Sequence, residues 1–175
     1  MKLNYDLIAF DMDGVLVDFV GGFKKVYGLP DDWHETQFFI EKDIGITEDE
    51  FWEVIDRTPD FFYNLEPLQE GLDLFRWCLN HNENVLIVTS AVHRPNAYPQ
   101  KCAWFEKYLP EAKDRYVFTK KKQYLAGPNR VLIDDWEKHV DRWNDWGGLG
   151  ILYTKCYNEG MNAEQVKNYL IDRGV

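Results

Sequence analysis

The stretch "YDLIAFDMDGVLVDF", residues 5–19, carries an apolar run straight into two aspartates, Asp11 and Asp13, with Gly14 directly after them. A short apolar segment that ends in charge reads as a buried strand, here over residues 5–10. The same signal recurs three times downstream. "NVLIV" at 84–88 runs into Thr89-Ser90, "RYVFT" at 115–119 runs into Lys120-Lys121-Lys122, and "RVLID" at 130–134 closes on Asp134-Asp135. A fifth strand is expected over 150–153. Helical spacing appears over 18–27, 70–79, 101–109, 137–145 and 163–172. Strands of continuous apolar character alternating with helices predict an α/β domain built on a buried parallel sheet. Such sheets bind ligands at the carboxyl ends of their strands. The residues after each strand are therefore the ones that carry chemistry.

Between the first strand and the second lies a segment of another kind. Residues 31–64 alternate aromatic side chains with acidic ones, and Thr47 followed by Glu50 forms a capping-box pattern opening a helix through about Asp56. It reads as a small helical insert. The expected division is a core of residues 1–17 and 66–175 with a helical cap of residues 18–65.

Composition narrows the function. With 175 residues the chain can bury one full core. A formal net charge of −10 argues against binding a nucleic acid polymer, which needs a basic face, though not against a small anion held by a local cationic cluster. Cys78, Cys102 and Cys156 are odd in number and lack metal-ligand spacing, so a reducing cytoplasm is expected. No secretory signal pattern and no span of about 20 apolar residues are present, so no membrane partner is expected. The sequence is compatible with a homodimer. His34, His81, His93 and His139 form no metal pattern and receive no role.

The strand-end residues make one chemical set. Clustered carboxylates repel one another until a hard cation binds, and Mg²⁺ needs only a few oxygen ligands. One carboxylate can then attack phosphorus, while a second, two residues on, moves the proton. Lysine and hydroxyl groups would hold the phosphoryl oxygens, and Gly14 would let backbone N–H groups approach the same anion. Taken singly, each feature has a plainer explanation. Aspartate pairs and Thr-Ser pairs cap helices, and lysine runs coat surfaces. Their joint occurrence, each at a strand end, favours the site.

These segments resemble those of haloacid dehalogenase (HAD) superfamily phosphatases. "DMDGVLVD" resembles the first motif, with Asp11 as nucleophile and Asp13 as general acid/base. "VLIVTS" resembles the second, placing Thr89 and Ser90 on phosphate. Lys122 best matches the third-motif lysine, with Lys120 and Lys121 as competitors. "VLIDD" resembles the fourth. The resemblance implies a Rossmann-like core and a metal, Mg²⁺, held by Asp11, the Asp13 carbonyl and Asp134, with Asp135 beside it. "FFYNLEPLQEGLD" and "QKCAWFEKYLP" further resemble the 5'(3')-deoxyribonucleotidase family. That likeness implies a deoxynucleoside monophosphate substrate, phosphate contact by Lys101, and a nucleoside pocket including Phe19 and Lys120. Trp136 stands where that family usually has an arginine. Trp33 or Trp52 would stack on a base if not part of the core, and Arg94 would either reach the phosphate or lie at the surface. The alternatives are a phosphatase for another small phosphomonoester, such as a sugar phosphate, or a non-catalytic phosphate-binding protein.

Overall fold

The computed structural model describes residues 1–91, 94 and 96–174; His93 lies outside the described residues. Five strands form one parallel sheet: β1 (Leu7–Phe10), β2 (Val85–Thr89), β3 (Tyr116–Phe118), β4 (Arg130–Asp134) and β5 (Leu149–Leu152). Their spatial order is β3-β2-β1-β4-β5, with every pairing parallel. From the central strand β1 the chain moves outward to β2 and β3, then crosses to β4 and β5 on the other side of β1. The order therefore reverses beside β1, and an open α/β sheet forms its ligand crevice at that reversal.

The period-two alternation of the strands feeds two apolar layers. Ile8, Phe10, Ile87, Val131 and Ile133 face the larger core, which also takes Leu72 and Phe75 from α4 (Gln69–His81), Trp104 and Phe105 from α5 (Ala97–Tyr108), and Val166 and Leu170 from α7 (Ala163–Gly174). Ala9, Val88 and Leu132 face the other side, where Trp143 of α6 (Glu137–Asp145) covers them. The buried Trp143 indole donates to the Arg130 carbonyl at 3.1 Å, so its polar edge is satisfied.

Between β1 and α4 lie α1 (Phe19–Tyr27), α2 (Ile40–Ile44) and α3 (Glu48–Arg57), none of which joins the sheet. Asp18 caps α1 by accepting from the Gly21 N–H at 2.9 Å. The expected capping box is present: the Thr47 hydroxyl accepts from the Glu50 N–H at 3.2 Å, and Glu50 accepts from the Thr47 N–H at 2.8 Å. Residues 31–39 are irregular. The insert is anchored at its exit by Trp104, whose indole donates to the Leu65 carbonyl at 2.8 Å.

One boundary differs clearly from expectation. Helix α5 starts at Ala97, four residues before Lys101. Pro99 argues against a helix when read alone, but it occupies the first turn, where its missing N–H would have had no partner in any case.

Candidate active site

Asp11 sits one residue beyond β1, where its N–H donates to the Ile133 carbonyl at 2.8 Å and ties it to the neighbouring strand. The chain then turns back sharply: the Leu16 and Val17 N–H groups both return to the Met12 carbonyl, and the Gly14 N–H donates to Val17 at 2.9 Å. The turn aims Asp11 and Asp13 into the crevice. Asp134 closes β4 beside them, and Asp11, Asp134 and Asp135 each offer a carboxylate oxygen within 4.8 Å of the others.

Two buried lysines organise these acids. The Lys122 ammonium lies 2.6 Å from Asp11 and 2.7 Å from Asp134. The Lys101 ammonium lies 2.5 Å from Asp13 and donates to the Thr89 hydroxyl and the Ser90 carbonyl, each at 3.0 Å. Lys120 and Lys121 are exposed and line the cavity, and of the three lysines in the run only Lys122 pairs with Asp11 and Asp134. Lys122 opens a 3₁₀ turn, Lys122–Leu125, that carries its side chain inward.

The charges are unequal. Burial works against the Lys122 cation, yet Asp11 and Asp134 outweigh it and raise its pKa above the usual lysine value. Burial also pushes Asp134 up, but Lys122 and then His139 outweigh it and bring it down to about 2. Asp11 goes the other way: burial dominates the pull of Lys122 and lifts it to about 6. Burial, then the charges of Asp11 and Asp134, raise the Asp135 pKa well above its ordinary value. Four carboxylates face two ammonium groups, a formal excess of 4 − 2 = 2 negative charges. That excess lies at the floor of the site, with Lys120, Lys121 and Arg142 along the cavity above it.

The open oxygens show where a cation fits. Asp134 is fully engaged: one oxygen receives the Trp136 N–H at 3.0 Å, the other meets Lys122, and His139 Nδ1 lies 3.1 and 3.3 Å from the two. Asp13 Oδ1 and Asp135 Oδ1 are buried with no hydrogen-bond partner. A buried acceptor left alone is costly, and a divalent cation is the partner this donor set suits. Asp134 thus belongs to the cluster yet spends its oxygens on Lys122 and His139, whereas Asp135 keeps one to offer.

Gly14 serves an end that the sequence did not indicate. Its N–H is spent on Val17, and what its missing side chain admits is the Asp135 carboxylate: a Cβ there would lie 2.0 Å from Asp135 Oδ2, at a φ of +84°. Gly14→Ala is expected to destabilise the protein by about 1–3 kcal/mol through backbone strain alone. It should also weaken divalent-cation binding by displacing Asp135. Thermal unfolding and calorimetric metal titration check both effects.

Above the acids opens a cavity of about 470 Å³, walled by Phe19, Phe38, Phe51, Trp52, Phe62 and Trp136. Phe19 packs edge-on to Phe61 at 5.7 Å and lies near Phe51, Trp52 and Phe62. Phe38, from the irregular part of the insert, stacks on Trp136 at 4.5 Å with planes 10° apart, so insert and core meet across the mouth. Trp33 is half-buried and lies outside this lining. Arg94 pairs with Asp56 of α3 at 2.6 Å and sits 5.3 Å over Trp52, so its guanidinium serves the insert.

Sequence reasoning passed over three site residues. His139 stands five positions after Asp134, on the first turn of α6, the spacing at which a side chain returns to the preceding strand end. Tyr157 donates to Asp135 Oδ2 at 3.0 Å, and Asn158 donates to the Asp135 carbonyl at 3.1 Å. Both follow β5, whose end the strand-end rule covers.

The fold is shared with a HAD-superfamily hydrolase from Ehrlichia chaffeensis (TM-score 0.56, 12% identity, 98% of each chain). It is also shared with a HAD family hydrolase from Deinococcus radiodurans, solved with bound phosphate and sodium (TM-score 0.53, 13% identity, 98% of this chain and 89% of that one). Those likenesses give the fold; the family match and the deoxyribonucleotidase relatives given next make the chain a phosphatase of the haloacid dehalogenase superfamily. Within that class the chain belongs, over residues 5–170, to the family described as 5' nucleotidase, deoxy (pyrimidine), cytosolic type C protein. It is 30% identical to the mitochondrial 5'(3')-deoxyribonucleotidase of Mus musculus, across 93% of this chain and 79% of that protein. It is 27% identical to the cytosolic-type 5'(3')-deoxyribonucleotidase of Homo sapiens, across 94% and 87% respectively. Hydrolases of this superfamily generally use a divalent metal.

Proposed function

We propose that this protein is a Mg²⁺-dependent 5'(3')-deoxyribonucleotidase that removes phosphate from deoxynucleoside monophosphates through an aspartyl-phosphate. The observation that carries this reading is the pairing of Asp11 with Lys122 and of Asp13 with Lys101 at adjacent strand ends, beneath an aromatic cavity. Residues 1–17 and 66–175 act as the catalytic core, and residues 18–65 as a cap that supplies the leaving-group pocket.

Asp11 attacks phosphorus, the ester P–O bond breaks, and Asp13 delivers a proton to the departing nucleoside oxygen. Asp13 then takes a proton from water, which attacks phosphorus and releases phosphate with Asp11 restored. Lys122, Lys101, Thr89 and Ser90 would hold the phosphoryl oxygens, and fixed donors there would stabilise charge as it spreads during transfer. Asp11, Asp135 and the Asp13 carbonyl would hold Mg²⁺, with Asp134 holding Lys122 in place. The bound ion would neutralise the acidic cluster and let an anionic nucleophile meet an anionic phosphate. Phe19 and Lys120 line the pocket for the nucleoside, whose flat base suits an aromatic wall.

The test is a substrate panel with Mg²⁺ supplied: dUMP, dTMP, the matching ribonucleotides and small sugar phosphates. The deoxynucleotides should show kcat/KM about tenfold or more above the sugar phosphates, the worth of one stacked base. Equal rates on all would leave a general phosphomonoesterase and remove the nucleotidase reading.

A further inference from the structure

Asp135 is held more tightly than a simple metal ligand requires. Its Oδ2 accepts the Tyr157 hydroxyl at 3.0 Å and presses against the bare Cα of Gly14. Its main-chain carbonyl accepts Asn158 Nδ2 at 3.1 Å, and the same amide holds the Tyr153 carbonyl at 3.0 Å. Only Oδ1, buried and without a hydrogen-bond partner, is left open. The loop after β5 therefore presents one oxygen of this carboxylate and closes off the other.

The choice of a phenol matters. A lysine at this place would orient Asp135 but also neutralise it and compete with a cation. A neutral hydroxyl fixes the carboxylate and leaves its charge intact. Outer hydrogen bonds of this kind orient metal ligands and tune affinity. Mg²⁺ demands near-octahedral sites and takes carboxylates through one oxygen, whereas Ca²⁺ is larger and readily takes both.

Resting on the metal-dependent reading above, we infer that Tyr157 is a positioning residue that restricts Asp135 to a single ligand oxygen and thereby makes the site select Mg²⁺ over Ca²⁺. Tyr157 donates to Asp135 and, among the described residues, makes no hydrogen bond to the reacting carboxylate Asp11. Its ring is also met edge-on by Phe38 at 6.4 Å, so the insert packs against the same support.

Calorimetric titration of wild type and Tyr157→Phe with MgCl₂ and CaCl₂, each without substrate, tests this directly. The variant should bind Mg²⁺ more weakly and Ca²⁺ no more weakly, moving the Mg²⁺/Ca²⁺ affinity ratio toward calcium by about fivefold or more. A merely structural tyrosine would lower both affinities together and leave the ratio within about twofold, which overturns the inference. If Tyr157→Phe does not fold, as judged by circular dichroism, Tyr157→Met fills similar space and must shift the ratio the same way; an unchanged ratio there overturns the inference equally. Wild type that binds neither cation overturns the metal-dependent reading itself, and the inference falls with it.

Discussion

Asp11→Asn is expected to abolish phosphate release, lowering kcat by about 10⁴-fold or more, as loss of a covalent nucleophile does. An amide oxygen cannot form the acyl phosphate, and no other carboxylate replaces it: Asp13 is held on Lys101, Asp134 is consumed by Lys122 and His139, and Asp135 is held by Tyr157. The fold should survive, because Lys122 keeps Asp134 at 2.7 Å. Stability supplies a second signature. The Asp11 carboxyl is lifted to about 6 chiefly by burial, so the folded protein binds that proton more tightly than the unfolded chain. Ionising Asp11 therefore costs stability as pH rises from about 4 to about 6, and the cost is constant above. The substituted amide cannot ionise. In EDTA the variant should gain on the parent across that window by about 1–3 kcal/mol and hold the gain at neutral pH. Urea unfolding at several pH values reads the gain, and acid-quenched reactions with labelled substrate read the covalent intermediate. A variant that still turns over at the parent rate would remove Asp11 as nucleophile.

The legible part of this protein was the part with a pattern. Apolar runs ending in polar or charged residues located β1, β2, β3 and β4, and the order of their terminal residues assembled most of the site. The lysine run was legible only as a choice, since three adjacent cations look alike in sequence. Burial decides among them, because the 3₁₀ turn at Lys122–Leu125 turns one inward and leaves its neighbours nearer water. Gly14 was read as an opening for an anion, whereas its freedom is used by Asp135, a contact between distant parts of the chain that no local pattern encodes. Tyr157 and Asn158 lay in an aperiodic loop, where hydrogen bonds rather than hydrophobic spacing determine placement. His139 received no role because the histidines form no metal pattern, although its partner is a carboxylate on the preceding strand. Sequence periodicity reports what packs against the core. Residues that orient other residues leave no such trace.

Lys122→Met should be the most damaging of these changes to stability, and it should slow the reaction as well. The ammonium is buried between Asp11 at 2.6 Å and Asp134 at 2.7 Å, and methionine fills similar volume without charge. Removing one member of a buried ionic cluster leaves the others desolvated and unpaired, at a cost of about 3–5 kcal/mol. Arginine is not expected to rescue it, since a planar fork does not fit the space of a compact ammonium enclosed on every side. The sign of the pH dependence separates charge from packing. Asp134 is held down at about 2 by Lys122 and His139 against its burial, so its pairing stabilises the folded state above the unfolded pKa near 4 and is lost as pH falls toward 2. Without Lys122 that depression shrinks, while the upward push on Asp11 grows. The stability deficit of Lys122→Met in EDTA should thus be largest at neutral pH and narrow toward about pH 4, as the two carboxyls take up protons. Urea denaturation from about pH 4 to 8 measures it; a deficit independent of pH would reduce Lys122 to a packing element. At saturating Mg²⁺ the variant should also lose about 10²–10³-fold in kcat, the worth of one fixed donor to charge developing in the transition state. A normal kcat in a folded variant would place the phosphoryl group away from Lys122 and break the proposed arrangement at its centre.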